Sequence, residues 1–421
     1  MRNSCTALLA CSVVLLFNVA ISAADWPSFR GPLGNGLSSE TTVPLEWSSE
    51  KNVKWKVSLP QPSNGSPIVS NGCVFVTTAE DAKGRERSLY CFDCKTGEKN
   101  WVKTVSYATD EPTHATNPHG SSTPAADGKS IVVWHGSAGL YCYDFTGREL
   151  WKRELGDFVH MWGSGTSPVI YQDRVILHSG PGKRVIVAAF DLAQGKTLWE
   201  HEEPLAGNGE YRPDKGYLGS WSTPLIAKIE GQDQILCALP TRVVSFDPAE
   251  GKIVWTCDGL RGPKGDLSYS SPVISANVCV CVGGFNGPSL GFKLGGSGNI
   301  TEQQRLWRAE NNPQNIGSGV VIEGSFYRPN AGPGTIDCLD PLTGKVKWTE
   351  RATTFWGSMV YAAGRCYVTG QDGTTYVFKP SPEKFELLAK NALGEGSNAT
   401  PAISNGEIFL RTHKTLYCIA E

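Results

Sequence analysis

Short runs in which apolar and polar residues alternate recur along the whole chain, as in Ser88-Leu89-Tyr90-Cys91-Phe92 and Gly139-Leu140-Tyr141-Cys142-Tyr143. A period of two is the signature of a half-buried β-strand. Five such runs are followed by the same phrase, an Asp, a Gly four residues on and a Trp eight residues on. The copies are Asp93…Gly97…Trp101, Asp191…Gly195…Trp199, Asp247…Gly251…Trp255, Asp340…Gly344…Trp348 and a shorter Asp144…Gly147…Trp151. The Asp can bond its own downstream backbone and start a tight turn. The Gly supplies the positive φ of a hairpin loop, and the Trp offers a large flat surface on the next strand.

A second phrase precedes each copy: Ser66-Pro67, Thr123-Pro124, Ser167-Pro168, Thr223-Pro224, Ser271-Pro272 and Thr400-Pro401, with degenerate forms at Gly319-Val320 and Ser358-Met359. A turn such as Asn71-Gly72 or Asn405-Gly406 follows, then another apolar strand. The unit is therefore four antiparallel strands, A to D, with the Pro phrase on A and the Trp on D. Self-similarity at roughly 40–55 residues points to a propeller or solenoid.

Eight Pro phrases predict eight units, and strand-D aromatics fall at Trp55, Trp101, Trp151, Trp199, Trp255, Trp307 and Trp348, with Leu388 in the eighth place. Trp55 precedes any strand A, and the last unit stops after strand C at Leu416-Tyr417-Cys418-Ile419. Pairing Lys54-Trp55-Lys56-Val57 with that last unit closes a ring and removes exposed sheet edges. The expected fold is all-β: an eight-bladed β-propeller of four-stranded antiparallel blades, closed by the N-terminal strand on the C-terminal blade, with seven blades as the competing count. The Gly-rich run at Leu294–Gly298 stands where the repeat ending at Trp307 lacks its Asp, and is expected to be a loosened turn.

Residues 1–24 have the form of a secretory signal, with Arg2, an apolar run from Ala7 to Ala20 and small residues before Asp25. That run is short of the roughly 20 residues of a membrane span, and no later stretch approaches that length. Leu8-Leu9-Ala10-Cys11 resembles a lipoprotein processing box but sits too early in the run. The expected division is a signal peptide at 1–24, an N-terminal arm at 25–50 and the propeller at 51–421, in a periplasmic or secreted monomer. The formal net charge of −2, with no basic cluster, excludes nucleic acid as the main partner.

Thirteen Cys in an exported chain raise the question of disulfides. The repeat register offers a plainer account, because Cys91, Cys142, Cys338 and Cys418 share one strand-C position with Ala189 and Ser245. A small buried residue recurring there is a packing feature. Cys91 and Cys94 have the spacing of a redox pair without the βαβ context such pairs need.

The A–B and C–D connections are short, whereas the D–A and B–C connections carry the insertions, so one face of the ring bears the long loops where binding residues concentrate. Residues leading into strand A line the funnel mouth on that face: His119, Trp162, Trp221, Tyr269, Asn315, Trp356 and Asn398. Their aromatics and amides suit a stacked planar ligand or a sugar, or else they plug the channel and pack against neighbouring blades. His114, His119 and His160 are the candidate metal trio, and Asp110, Glu111 and Asp157 the candidate calcium oxygens, although no EF-hand spacing is present. Solvated loop charge is the plainer reading, and no metal site is assigned. No Gly-x-Ser-x-Gly, His-Glu-x-x-His or phosphate-binding Gly loop occurs.

The phrase Asp-x-x-Thr-Gly-x-x-x-Trp at Asp93–Trp101 and Asp340–Trp348 resembles the repeat of the pyrroloquinoline quinone (PQQ)-like β-propellers, over roughly residues 50–421. The opening Asp25-Trp26-Pro27-Ser28-Phe29-Arg30-Gly31-Pro32 resembles the start of secreted PQQ-like repeat proteins of planctomycete-type bacteria. The resemblance implies either a quinoprotein dehydrogenase, with PQQ and calcium as cofactors and alcohols or sugars as substrates, or a non-enzymatic member of the BamB type. Quinoprotein dehydrogenases of this fold carry a vicinal Cys-Cys pair, and this chain has no adjacent cysteines. The reading adopted is a non-catalytic propeller binding a protein or a small ligand on its long-loop face, with no cofactor assured. The alternatives are a PQQ-dependent oxidoreductase and a carbohydrate-binding propeller.

Overall fold

The turn chemistry and the period-two strands produce eight blades of four antiparallel strands in the computed structural model, which describes residues 25–204 and 217–421. Seven blades are four-stranded sheets, one carries a fifth strand, and Tyr217–Ser220, Arg261–Gly262 and Gly265–Ser268 form a separate three-stranded sheet. In blade 1 strands A to D are Ile68–Ser70, Cys73–Ala79, Glu86–Asp93 and Lys99–Ser106. Blade 8 takes strands A to C from Ala402–Ser404, Glu407–Arg411 and Thr415–Ile419, and strand D from Val53–Ser58. That last strand pairs antiparallel with its neighbour, Trp55 opposite Cys418. The expected leader lies outside the described residues.

The repeated phrase joins blades as well as shaping each one. Asp93 Oδ1 accepts the N–H groups of Lys95 and Thr96, both at 2.9 Å, and Gly97 takes φ +74°. The Trp of the preceding blade lies on this turn. The indole N–H of Trp55 donates to Cys94 O at 3.0 Å, and a Cβ on Gly97 would come within 2.7 Å of the Trp55 ring. The same docking is made by Trp101 on Phe145 O, Trp151 on Leu192 O, Trp199 on Pro248 O and Trp307 on Pro341 O. The turn glycine therefore meets two demands, a positive φ and a surface bare enough for an indole.

Across the sheet from each Trp stands the small strand-C residue, for example Cys91 opposite Trp101 and Gly291 opposite Trp307. A Cβ on Gly291 would lie 2.3 Å from Trp307 Nε1, which shows how little room that position has. All eleven described cysteines are free, and ten of them are buried, so these thiols fill space.

Two expectations need correction. The strand-D position of blade 7 equivalent to Trp is Ala389, opposite Val377, and not Leu388, which is 44% exposed. A bulge after the paired residue shifts the register by one, as it does in the other blades. The Gly-rich run is more than a loosened turn. It leads into Gly298–Asn299, a fifth strand parallel to strand D of blade 4, and a helical turn at Thr301–Gln304. Blade 5 thereby lacks the turn on which Trp255 would dock, and Trp255 donates within its own blade to Gln234 Oε1 at 2.9 Å.

The N-terminal arm crosses the short-turn side. Trp26 bridges to Val69, Arg30 reaches Gly319 O, Leu37 bridges to Tyr361, and Trp47 stacks on Tyr367 at 6.4 Å. Arg30 is fully buried without a carboxylate partner, and burial pushes its pKa down to about 9.

Candidate functional site

Two residues before each strand A stands the Ser or Thr of its Pro phrase, or the equivalent Ser318 and Ser358, and these residues form an inner belt. Ser66 N–H donates to Thr123 Oγ1, Thr123 to Ser167, and Ser167 to Thr223, at 3.0–3.2 Å. Ser271 donates to Ser318, Ser318 to Ser358, Ser358 to Thr400 and Thr400 back to Ser66, at 2.9–3.0 Å. Seven of eight steps are made, and the step from Thr223 to Ser271 lacks the bond. The belt closes the ring at its axis. Because each of the seven linking hydroxyls already accepts a backbone N–H, its own proton remains for donation.

Two residues before each belt hydroxyl, strand alternation turns a side chain back to the axis. Those positions are Asn64, Ser121, Gly165, Trp221, Tyr269, Ile316, Trp356 and Asn398, and all eight line an axial cavity of about 260 Å³. Seven belt residues line it below them. Long loops add His114, Asn117, Trp162, Phe285 and Gln314, and Phe29 of the arm completes the wall.

Five of the seven residues expected at the mouth thus share one cavity: Trp162, Trp221, Tyr269, Trp356 and Asn398. Two do not. Asn315 is one residue out of register, so it is buried and donates to Pro329 O at 2.6 Å. Its neighbours Gln314 and Ile316 face the cavity instead. His119 lies two residues before Ser121, packed on Gly84 in a separate pocket of about 20 Å³ with Arg87, Glu111, His135 and His160. That is room for about one water. Counting strictly back from each hydroxyl would have found Asn64 and Ile316 and excluded His119 and Asn315. No local signal in the residues marks Asn117, Phe285, Gln314 or Phe29.

The aromatic side of the wall is rigid. Trp221 donates its indole N–H to Gly163 O at 2.9 Å and meets the edge of His160 at 4.9 Å. Trp162 lies 5.8 Å from Trp221, and Phe285 stacks on Trp162 at 6.2 Å and 11°. Phe285 holds φ +54°, an uncommon state for a bulky residue, and it follows Gly284, where a Cβ would lie 2.4 Å from Tyr269. Trp356 makes no ring contact among the described residues, and its indole N–H has no acceptor among them. The amide side is a network. Asn64 Nδ2 donates to Thr116 O and Asn117 Oδ1, Asn117 Nδ2 to Trp162 O and Ser164 O, and Asn398 Nδ2 to Thr116 O. Asn64 Oδ1 is buried with no partner.

The wall holds no carboxylate, arginine or lysine among the described residues, and its ionisable side chains are His114 and Tyr269. Lys264 stands over Phe285 at 5.3 Å without joining the lining. Burial holds Tyr269 above the usual phenol range. The histidine trio is not assembled. His160 is buried, both ring nitrogens engaged with Leu218 O and the N–H of Trp162, and burial pulls its pKa down to about 4. Asp110 and Glu111 are taken by Arg85 and Arg87, and Asp157 accepts the Tyr107 hydroxyl. No group of three metal-ligating side chains exists among the described residues. A calcium ion, which takes six to eight oxygens with carboxylates among them, and PQQ, a tricarboxylate, do not fit this donor set.

No curated protein matches the chain in sequence. Among solved structures, BamB from Moraxella catarrhalis is similar over 88% of this chain and 97% of its own, with a TM-score of 0.60 at 15% identity. Quinohemoprotein alcohol dehydrogenase from Comamonas testosteroni is similar over 94% and 80%, with a TM-score of 0.67 at 14% identity. A europium-containing methanol dehydrogenase gives 94% and 98%, with a TM-score of 0.55 at 12% identity. These likenesses establish the propeller fold. The family model described as outer membrane protein assembly factor BamB matches residues 45–115 and 111–350, and the chain belongs to that family.

Proposed function

We propose that this chain is an exported, non-catalytic propeller whose axial cavity on the long-loop face binds a ligand. The observation that carries the reading is the wall itself, with aromatic rings on one side, amides on the other, a belt of hydroxyls and, among the described residues, no carboxylate, arginine or lysine. It has the concave, largely apolar character of a ligand site with a few convergent polar groups. It lacks the pairing of a nucleophile or base with an orienting partner that catalysis needs. A periplasmic or secreted location accords with the expected leader, and no helix among the described residues is long and apolar enough to cross a membrane.

A protein partner on the same face is the second reading, favoured by the family's description as an assembly factor. The oxidoreductase reading needs a site for a trianionic quinone. Titration of the purified protein with PQQ, with and without calcium, should leave tryptophan fluorescence and quinone absorbance unchanged up to roughly millimolar quinone. Saturable binding that supports alcohol- or sugar-dependent reduction of an artificial acceptor would overturn the non-catalytic reading.

A further inference from the structure

We propose that the axial cavity takes one terminal ring of a neutral carbohydrate. The inference rests on the reading of this cavity as the ligand site and adds the class of ligand.

Charge decides first. A carboxylate or phosphate brought to this wall would lose its water against no arginine or lysine among the described residues, and a desolvated, unpaired ion is costly. A cation would find ring faces but no carboxylate among the described residues, and below them a belt of hydroxyls whose oxygens already accept a backbone N–H and whose protons point a donor at it. The ligand that fits is uncharged.

Hydrogen-bond polarity decides next. The wall presents donors at the belt hydroxyls and at the Trp356 indole N–H, and it is backed by an acceptor, Asn64 Oδ1, that is buried without a partner among the described residues. A hydroxyl group both donates and accepts, so a polyol can satisfy both kinds at once. A purely apolar ring would satisfy neither kind.

Shape completes the argument. The aromatic rings sit together on blades 3 to 5, with Trp356 on blade 7, whereas the amides come from blades 8, 1 and 2 and the loop before blade 6. A pyranose has the same division, C–H faces for stacking and an equator of hydroxyls. The arm's Phe29 lines the cavity from the short-turn side, so the ring enters from the long-loop face and any further sugars extend outward.

The experiment is a fluorescence and calorimetric titration of the full mature chain with four probe classes. These are neutral mono- and oligosaccharides of glucose, galactose, mannose and N-acetylglucosamine, oligogalacturonates, choline, and a short Phe- and Tyr-containing peptide. Each is repeated on Trp356→Ala, Trp356→Phe and Asn64→Leu. Trp356 makes no ring contact or indole hydrogen bond among the described residues, so its variants test binding with the blades kept intact. A neutral sugar is expected to bind, with Kd raised about tenfold or more by Trp356→Ala, partly restored in Trp356→Phe and also raised in Asn64→Leu. Trp356-dependent binding of choline, uronate or peptide without sugar binding would overturn the carbohydrate assignment and leave the cavity reading standing. Sugar binding indifferent to Trp356→Ala would overturn the assignment to this cavity. No response to any probe at millimolar concentration would overturn both.

Discussion

At the scale of single residues, the recurrent Asp…Gly…Trp phrase is an adhesive between blades. Gly251 shows the two demands on its glycine, φ +71° and a ring carbon of Trp199 that would lie 2.4 Å from any Cβ. Gly72 has a similar φ of +75° with nothing within 4 Å. Gly251→Ala should therefore destabilise by about 2–4 kcal/mol, from backbone strain plus overpacking. Gly72→Ala should cost only the strain, about 1 kcal/mol. Equilibrium urea unfolding of both variants checks the difference, and equal losses would remove the docking role. The same scale shows which site residues the chain announces. Trp221, Tyr269, Trp356 and Asn398 sit at a fixed distance before a hydroxyl and follow from the repeat, because a strand points alternate side chains the same way. Trp162 was legible only as an aromatic near the phrase. Phe285 and Asn117 ride on loops of irregular length, and no periodicity carries information across a loop.

At the scale of the element, Val53–Ser58 is the strand on which ring closure depends. Its backbone pairs with strand C of blade 8, and its Trp55 spans to the first blade through Cys94 O and the Gly97 turn. Trp55→Ala should cost about 3–5 kcal/mol, the range for a buried aromatic. It should raise amide exchange first in Val53–Ser58, Thr415–Ile419 and the turn at Asp93–Gly97. Uniform loss of protection in all blades would instead mean that closure and global folding are one event. The strands themselves were readable because turn chemistry and alternation agree at most blades. Blade 5 escaped because its Asp turn is replaced by glycines that carry an added strand and a helical turn. Local propensity does not encode that a neighbouring blade will accept a fifth strand.

At the scale of the whole molecule, burial of neutral imidazoles ties stability to pH. Burial lowers His135 to about 3 and His160 and His178 to about 4, whereas an unfolded histidine titrates near 6.5. Above about pH 6.5 neither state binds these protons and stability is at its plateau. As pH falls below that value the unfolded chain takes up protons that the folded one refuses. Each group then costs up to about 1.4 kcal/mol per pH unit, until its folded pKa is reached. Thermal midpoints should fall between pH 6.5 and 4, and His178→Gln should flatten that slope by about a third. An unchanged slope would place the titration elsewhere.

The inner belt of hydroxyls has a further consequence. Its bonds join residues as far apart as Ser66 and Thr400, 334 positions along the chain, so its shape exists only when both chain ends are in place. The cavity above it is thus a collective property that no excised blade possesses. By mass action, a molecule that occupies it binds the shut ring and not the sprung one, and so favours shutting by RT ln(1 + [L]/Kd). Occupancy at the axis and fastening at the rim are then two readings of one equilibrium, and the chain's own ends act as a reporter of whether the cavity is filled.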